Sequence, residues 1–256
     1  MSEEKVLITG GAGYIGSVLI GYLLEKGYQV TCLDNLSYGQ KSVFIYSNNE
    51  NFKFIYGDAR NAELLKKIVP EFDVIIPLAA IVGMSACDLR PFDAESINRD
   101  AVILINEIRR PDQKLIFPNT NSGYGANTGE VYCTEETPLE PISLYGKTKC
   151  EAEKHLFMSC KNFIVLRLAT VFGISPRMRM DLLVNDFVYK AMNDNYIVIY
   201  EKDFKRNYIH IKDVARAFEH CIKNFESMKN NVYNQKVLCQ EKAIYPNFEL
   251  ILLGDF

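Results

Sequence analysis

The sequence is poor in the residues that build metal sites and disulfide frameworks. Among its 256 residues there are three histidines and seven cysteines. The cysteines are scattered without a C-x-x-C pair, and together with so few histidines they do not form a metal-ligand pattern. The sequence therefore predicts no metal centre, and we expect the cysteines to be reduced thiols that mostly fill buried positions.

Long apolar runs and an excess of positive charge are also missing. No apolar run approaches the roughly 18 residues of a membrane-spanning helix, and the apolar stretch near the N-terminus is too short for a signal peptide. The net charge is −3, and no cluster of lysine and arginine is dense enough to suggest a surface for nucleic acid. These absences favour a cytoplasmic protein that binds neither membranes nor nucleic acids.

Short apolar runs instead alternate with segments of helical periodicity, over a length that suits one large α/β domain or one domain with an appendage. The predicted strands are 5–9, 29–33, 51–56, 73–76, 114–117 and 162–167, and the predicted helices are one that ends near Gly27 and those at 61–69, 94–109 and 143–160. Alternation of this kind is typical of a parallel sheet with helices on both faces. We therefore predict an α/β fold with a doubly wound parallel sheet.

The alternation breaks after Phe172. A turn at 173–176 precedes a helical stretch at 181–192 and a strand-like stretch at 196–200, whereas 206–210 and the helix at 213–225 look like a return to the main sheet. The sequence therefore predicts two units. The main domain is expected over residues 1–172 and 206–225, and a smaller, discontinuous lobe over 173–205 and 226–256.

A glycine-rich turn lies between the first predicted strand and the first predicted helix. Gly10, Gly13 and Gly16 permit a tight turn in which backbone amides can approach a pyrophosphate at the helix N-terminus. Asp34 ends the second strand, where a carboxylate can accept a hydrogen bond from a ribose 2′-hydroxyl and repel a 2′-phosphate. This pattern favours NAD over NADP. Asp58, after the third strand, could accept from the adenine amine or cap the next helix.

Tyr145 and Lys149 are four residues apart on the helix predicted at 143–160, so both can point at the same bound molecule. A nearby ammonium favours the phenolate and lowers the pKa of a tyrosine toward neutral pH. The pair is a candidate acid/base. A solvated helix face is the simpler interpretation of the same spacing taken alone.

These motifs, in this order, resemble the extended short-chain dehydrogenases/reductases, the family of nucleotide-sugar epimerases and dehydratases. The matching segments lie between about residues 3 and 234 and include Thr9–Gly16, Leu33–Leu36, Leu78–Ala80 and Asn207–Ala215. The resemblance implies a Rossmann-type fold whose main domain binds NAD and whose smaller lobe binds the nucleotide sugar. The cofactor-binding residues that it implies are Gly10, Gly13, Tyr14, Ile15, Gly16, Asp34, Asn35, Asp58, Ala59, Leu78, Ala79, Ala80, Asn98, Tyr145 and Lys149.

The resemblance also implies catalytic roles. Tyr145 would take the proton of a sugar hydroxyl while hydride leaves the same carbon, and Lys149 would hold the nicotinamide ribose and lower the tyrosine pKa. Thr120 would bridge to the substrate oxygen, with Ser122 as the fallback. Dehydratases of the family carry two acids directly after this threonine, where this chain has Asn121 and Ser122. Neither can serve as a general acid or base at neutral pH, so dehydration is not expected.

Substrate contacts are expected from the loop after the fifth strand and from the smaller lobe. Guanidinium groups suit a diphosphate, although Arg177 and Arg179 could equally be ordinary surface residues. His210 is expected to be structural, and Thr170 stands where the family usually has an asparagine. The implied substrate-binding residues are Thr120, Asn121, Ser122, Arg177, Arg179, Asn185 and Arg206.

Two segments, 118–125 and 175–187, are most similar to bacterial enzymes that act on GDP-linked heptoses for capsule synthesis, some of which oxidise C4 and release the ketone. The chain is thus expected to be an NAD-dependent C4 dehydrogenase, or a 4-epimerase with the same site. Family members usually continue for several dozen more residues, and Gln235 stands where they usually have a glycine, so we expect either that a segment is missing from this sequence or that the substrate lobe is incomplete. A non-catalytic NAD-binding protein is the alternative of another class. The family implies a homodimer, for which the 95–109 helix could supply a face or could instead simply cover the sheet.

Overall fold

The computed structural model describes residues 4–125, 133–159, 162–199 and 206–235. Its strands are β1 Lys5–Thr9, β2 Gln29–Asp34, β3 Phe52–Tyr56, β4 Val74–Pro77, β5 Lys114–Thr120, β6 Phe163–Leu168, β7 Thr170–Phe172, β8 Tyr208–His210 and β9 Asn231–Gln235. Its α-helices are α1 Tyr14–Glu25, α2 Ala62–Ile68, α3 Met84–Leu89, α4 Pro91–Glu95, α5 Ala101–Ile108, α6 Leu144–Ser159, α7 Leu183–Asn193, α8 Ile211–Lys223 and α9 Phe225–Met228. In the described part of the chain, no helix has the length and apolar character needed to cross a membrane.

Seven strands form one parallel sheet in the order β3-β2-β1-β4-β5-β6-β9. The chain therefore builds outward from β1 in one direction, returns to β4, and builds outward in the other. This is the predicted doubly wound Rossmann-type topology, in which ligands bind beyond the carboxyl ends of the strands near the point where the order reverses. That reversal lies between β1 and β4.

The hydrophobic core consists of two layers, one on each face of the sheet. On one face Ile8 packs in a cluster with residues of α1 and α8, and on the other face Leu7 packs with residues of α2, α5 and α6. Neighbouring residues of a strand point to opposite faces, so a strand covered on both faces must be apolar throughout. This requirement explains why the buried strands appear in the sequence as continuous apolar runs.

The helix predicted at 94–109 is divided into three pieces. α4 ends at Glu95, the residues Ser96–Asp100 form a π-helical turn, and α5 continues from Ala101. Leu104 and Ile108 lie on the 95–109 helix that could supply a dimer face, and both side chains pack against the core layer under α5. These side chains therefore cover the sheet, at least in part, and the homodimer stays a prediction.

Three features differ from the sequence prediction because strand pairing depends on distant neighbours. Residues 196–199 form no strand, and their apolar side chains are exposed. β8 pairs with β7 in a separate two-stranded sheet, and only α8 returns to the main domain, where it packs on α1. β9 lies in the 226–256 stretch assigned to the smaller lobe, yet it pairs with β6 as the edge strand of the main sheet. Residues 200–205 and 236–256 lie outside the described part.

Candidate active site

A cleft of about 890 Å³ lies beyond the carboxyl ends of β1, β2, β4, β5 and β6. It brings together most of the residues that the sequence implicates in cofactor binding. Those that line the cleft are Gly10, Gly13, Tyr14, Ile15, Gly16, Asp34, Asn35, Asp58, Ala59, Leu78, Ala79, Ala80 and Tyr145. From the substrate set, Thr120, Asn121, Ser122, Arg177, Arg179 and Arg206 line it as well. The elements thus gather residues from distant parts of the sequence into one concave site.

The glycine turn is packed so tightly that a Cβ on either Gly10 or Gly16 would clash with backbone atoms. A Cβ on Gly10 would lie 2.5 Å from the Cα of Ala79, and a Cβ on Gly16 would lie 2.6 Å from the Cα of Gly11. Gly10 also has a φ of +69°, which other residues adopt only at a cost in free energy. At Gly13, the N-cap of α1, no side chain caps the helix, so the amides of its first turn are available to an anion.

Asp34 is buried at the end of β2 and is held by backbone donors. Its carboxylate accepts from the amide of Ala12 at 3.0 Å and from the amide of Leu36 at 2.8 Å. Burial raises the pKa of Asp34, and these two hydrogen bonds oppose the rise. Because a carboxylate has about four acceptor directions, the group keeps capacity for a ligand hydroxyl on its cleft side.

Asp58 is the centre of an ion-pair cluster at the cleft wall. Arg60 donates from Nε to Oδ1 at 2.9 Å and from Nη2 to Oδ2 at 2.8 Å, and the same guanidinium reaches Asp93 at 2.7 Å. These hydrogen bonds from Arg60 lower the pKa of Asp58 to about 2. The N-cap of α2 is Asn61, so the helix-cap interpretation of Asp58 is wrong, and the adenine role stays a prediction.

Thr120 and Tyr145 reach the cleft from two different elements, the end of β5 and the first turn of α6. The Oγ1 of Thr120 donates to the Oγ of Ser122 at 3.2 Å and accepts from the amide of Ser122 at 3.2 Å. Tyr145 is half-buried against a small cluster that includes Ile81 and Cys87. A hydroxyl and a phenol thus stand at the same end of the sheet as the glycine turn.

The electrostatics of the Tyr145 and Lys149 pair differ from the sequence expectation. Burial raises the pKa of Tyr145 to about 12, and the nearby Arg179 opposes the rise. Burial also lowers the pKa of Lys149 to about 7. The Nζ of Lys149 lies 4.0 Å from the ring centroid of Phe117, and the side chain is 3% exposed and does not line the cleft. The expectation that Lys149 lowers the tyrosine pKa is wrong for this geometry, because desolvation dominates both groups.

Asn98 and Asn185 lie inside the protein and do not line the cleft. Asn98 accepts from the amide of Ile81 at 2.8 Å and donates to the carbonyl of the same residue at 2.9 Å, so it fixes the loop after β4. Asn185 donates to the hydroxyl of Tyr14 at 3.2 Å and accepts from the amide of Gly173 at 3.0 Å. In this structure both asparagines hold residues that form the cleft, and their direct contact with a ligand stays a prediction.

The three arginines of the predicted substrate-binding set have different surroundings. Arg179 forms an ion pair with Asp181, whereas Arg177 lies over the ring of Tyr38 with 4.8 Å between its Cζ and the ring centroid. Arg206 is exposed at the cleft rim. Arg60 and Tyr38 were missed by the sequence prediction, although each lies only a few residues beyond a recognised aspartate at a strand end.

Comparison with known proteins agrees with this geometry. Residues 6–234 match the model described as the NAD dependent epimerase/dehydratase family. A probable UDP-arabinose 4-epimerase of Arabidopsis thaliana is 35% identical over 70% of this chain and 47% of its own length. A UDP-glucose 4-epimerase of Halalkalibacterium halodurans is 29% identical over 93% of this chain and 78% of its own length. The chain thus spans about half to three quarters of the length of these relatives.

Solved structures show the same fold. A UDP-N-acetylglucosamine 4-epimerase of Methanobrevibacter ruminantium, in complex with UDP-N-acetylmuramic acid, has a TM-score of 0.79 and 28% identity, with 92% of this chain and 77% of that chain covered. A UDP-glucuronic acid 4-epimerase of Bacillus cereus, with UDP-glucuronic acid and NAD, has a TM-score of 0.76 and 25% identity, with 91% and 77% covered. A dTDP-glucose 4,6-dehydratase of Bacillus anthracis with NAD has a TM-score of 0.78 and 25% identity, with 91% and 75% covered.

Proposed function

The chain belongs to the NAD dependent epimerase/dehydratase family, and from this premise we propose that it oxidises C4 of a nucleotide-linked sugar by hydride transfer to NAD, with Tyr145 as the base. The observation that carries the proposal is the meeting of two half-sites in one cleft. Thr120 and Tyr145 supply a hydroxyl and a phenol, and the glycine turn with Asp34 supplies a dinucleotide-binding half. A 4-epimerase would use the same residues.

The glycine turn, the first-turn amides of α1 and Asp34 together suit the pyrophosphate and a ribose of a dinucleotide. Added methyl groups at Gly10 and Gly16 would meet backbone atoms, so the turn is shaped for close packing, and the first-turn amides of α1 carry no side-chain cap. Asp34 presents a buried carboxylate at the place where a ribose is read in such folds. When NAD is bound, it supplies the hydride acceptor at nicotinamide C4.

The chain's own groups would divide the proton chemistry between them. Tyr145 takes the proton of the C4 hydroxyl, and Thr120 donates to the same oxygen and orients it. The pKa of Tyr145 is raised, so the phenolate needs positive charge nearby, which Arg179 supplies in this structure. Lys149, one helical turn after Tyr145, would hold the nicotinamide ribose once its ammonium turns from the ring of Phe117 toward the cleft, which it does not line in this structure. Asn121 and Ser122 follow Thr120 and provide no acid for the loss of water.

The sugar and the nucleotide are open to two suggestions. The similarity of 118–125 and 175–187 to enzymes of GDP-linked heptoses favours a dehydrogenase that releases the 4-keto sugar. The similar proteins named above instead act on UDP- and dTDP-sugars, and most of them are 4-epimerases. Both suggestions require the same first step at C4.

A panel of nucleotide sugars with product analysis by mass spectrometry tests the proposal. The purified protein, loaded with NAD, is incubated with UDP-glucose, UDP-arabinose, UDP-N-acetylglucosamine, UDP-glucuronic acid, dTDP-glucose and a GDP-heptose. Loss of two hydrogens identifies a dehydrogenase, and a new isomer of unchanged mass identifies an epimerase. Loss of one water would overturn the exclusion of dehydration. A protein that binds NAD and converts none of these sugars would favour the non-catalytic alternative.

Asp34 should decide the preference for NAD. Asp34→Asn keeps an acceptor oxygen and the side-chain shape but removes the charge, so we expect NAD to bind about 10- to 100-fold more weakly, as for the loss of one charge-assisted hydrogen bond, and NADP to bind better than in the wild type. Titration calorimetry with both nucleotides measures the ratio. Asp73→Asn is the matched control, because Asp73 also accepts from a backbone amide, that of Lys5, but outside the cleft. If the ratio of the NAD affinity to the NADP affinity is unchanged in Asp34→Asn, Asp34 does not bind the ribose hydroxyl.

A further inference from the structure

A buried ion pair joins the helix that carries Tyr145 and Lys149 to the strand β6. Arg167 of β6 pairs through Nη2 with Oε1 of Glu153 on α6, and its Nε donates to Oε2 of Glu153 at 3.2 Å. Both side chains are 5% exposed. Burial of two charges costs desolvation free energy that their attraction often fails to recover, so a buried pair is weak evidence for a contribution to stability. Its position next to the site suggests another role.

The ion pair is linked by hydrogen bonds to both ends of the turn that runs from Thr120 to Tyr124 after β5. Asn119 donates from Nδ2 to Oε2 of Glu153, and its Oδ1 accepts from the amide of Thr120 at 2.8 Å. On the other side Arg167 donates from Nη1 to the hydroxyl of Tyr124 at 2.7 Å. The ion pair thus holds the start and the end of the turn between Thr120 and Tyr124. Its carboxylate and its guanidinium are therefore fixed relative to the site.

Lys149 lies one helical turn before Glu153, on the same side of α6. Its ammonium packs on the ring of Phe117, and among the residues that the structure describes it forms no ion pair with a carboxylate. Burial lowers the pKa of Lys149 to about 7, whereas Cys150 and Glu153 act in the opposite direction. The charge on Lys149 is thus sensitive to nearby charges at neutral pH.

We propose that Glu153 and Arg167 are positioning residues that together control the charge on Lys149. Glu153 neutralises the guanidinium of Arg167, which would otherwise lie unpaired on the inner side of α6 and repel the ammonium. The pair leaves almost no net charge, and Lys149 stays protonated enough to bind a ribose. The consequence for cofactor binding rests on the proposed function, in which Lys149 holds the ribose. The effect of Glu153 and Arg167 on the charge of Lys149 does not depend on catalysis.

Other titratable groups on the elements packed against α6 are not altered by the variants proposed below. On α6 itself they are Tyr145, Lys147, Cys150, Glu151, Lys154 and His155. On the elements packed against it they are Cys87, Asp88, Asp93, Glu95, Arg99, Asp100, Glu107, Lys114 and Tyr124. Arg99 is paired at the surface with the carboxylates of Glu95, Asp100 and Glu151.

The test is to measure the pKa of Lys149 by NMR in protein labelled with [13C]lysine, with its signal assigned from its loss in Lys149→Arg. Glu153→Gln leaves the Arg167 charge unbalanced and should lower the pKa of Lys149 by about one pH unit. Arg167→Gln leaves the Glu153 charge unbalanced and should raise it by a similar amount. The double variant restores neutrality and should return the pKa to near the wild-type value.

Opposite shifts in the two single variants are a result that a purely structural ion pair cannot give. If the pair only stabilises the fold, both single variants lose stability and the pKa of Lys149 moves in neither direction or in the same direction, which would overturn the proposal. Glu153→Asp keeps the charge and should keep the wild-type pKa. If Glu153→Gln does not fold, the upward shift in Arg167→Gln and its reversal in the double variant still decide the matter.

A second readout separates this inference from the proposed function. The affinity for NADH, measured by fluorescence against pH, should fall as Lys149 loses its proton, and the midpoint of that fall should move with the NMR value in each variant. If the pKa of Lys149 shifts in opposite directions in the two single variants but no sugar of the panel is converted, the charge coupling holds and the proposed function is wrong. If a sugar is converted but the pKa does not shift in opposite directions, the charge coupling is wrong and the proposed function holds.

Discussion

Tyr145→Phe should lower turnover by about 100- to 10,000-fold and leave NAD bound, because the change removes one acid/base group and keeps the ring. The ring packs against the cluster that includes Ile81 and Cys87, and the phenol oxygen is the part that the proton transfer requires. Steady-state rates on the substrate identified in the panel and NAD titration of the same preparation measure the two effects.

Tyr28→Phe is the matched control for that variant. Tyr28 is buried, and as for Tyr145 burial raises the pKa of its phenol, but Tyr28 does not line the cleft. We expect this control to keep wild-type turnover. A Tyr145→Phe enzyme that stays fully active would show that another group takes the proton. Loss of NAD from that variant would instead assign Tyr145 a role in holding the cofactor.

Gly10→Ala should destabilise the protein and prevent NAD binding. The residue has a φ of +69°, and an added Cβ would lie 2.5 Å from the Cα and the amide nitrogen of Ala79, which are backbone atoms that cannot rotate away. The conformational cost of about 1–2 kcal/mol and the overpacking cost of about 1–3 kcal/mol together give a loss of about 2–5 kcal/mol in the free energy of unfolding. Urea unfolding and NAD titration are the measurements.

Gly27→Ala separates the two causes. Gly27 has a φ of +84°, but an added Cβ there would meet nothing within 4 Å. This control carries the conformational cost alone, so we expect a loss of about 1–2 kcal/mol and normal NAD binding. Equal losses in the two variants would show that the approach of Gly10 to the loop after β4 contributes nothing.

Much of the cofactor half could be predicted because its signals are local. The three glycines lie in one strand-turn-helix unit that is continuous in sequence, and Asp34 lies at the end of the next strand. The positions of Thr120 and Tyr145 followed from motif order. All of these residues lie at the carboxyl end of the sheet, because the carboxyl ends of parallel strands meet at the same edge.

The remaining features depend on contacts that no local pattern encodes. The position of β9 at the sheet edge is set by pairing with β6, and the apolar run at 196–199 predicted a strand although it has no partner in the described structure. The direction of the Tyr145 pKa could not be predicted either. Spacing predicted a cation near the phenol, whereas burial of the phenol itself raises the pKa of Tyr145, and the ammonium of Lys149 packs on the ring of Phe117.

The central claim is that hydride leaves C4 of the sugar for the cofactor in this cleft. It is tested most directly with a substrate from the panel that carries deuterium at C4, mixed with an excess of NAD-loaded protein and quenched with alkali, in which NADH is stable, at a series of times within the first turnover. We predict that mass spectrometry finds the deuterium in the reduced nicotinamide of the NADH formed. NADH without deuterium, or product formed while the cofactor is never reduced, would contradict the account.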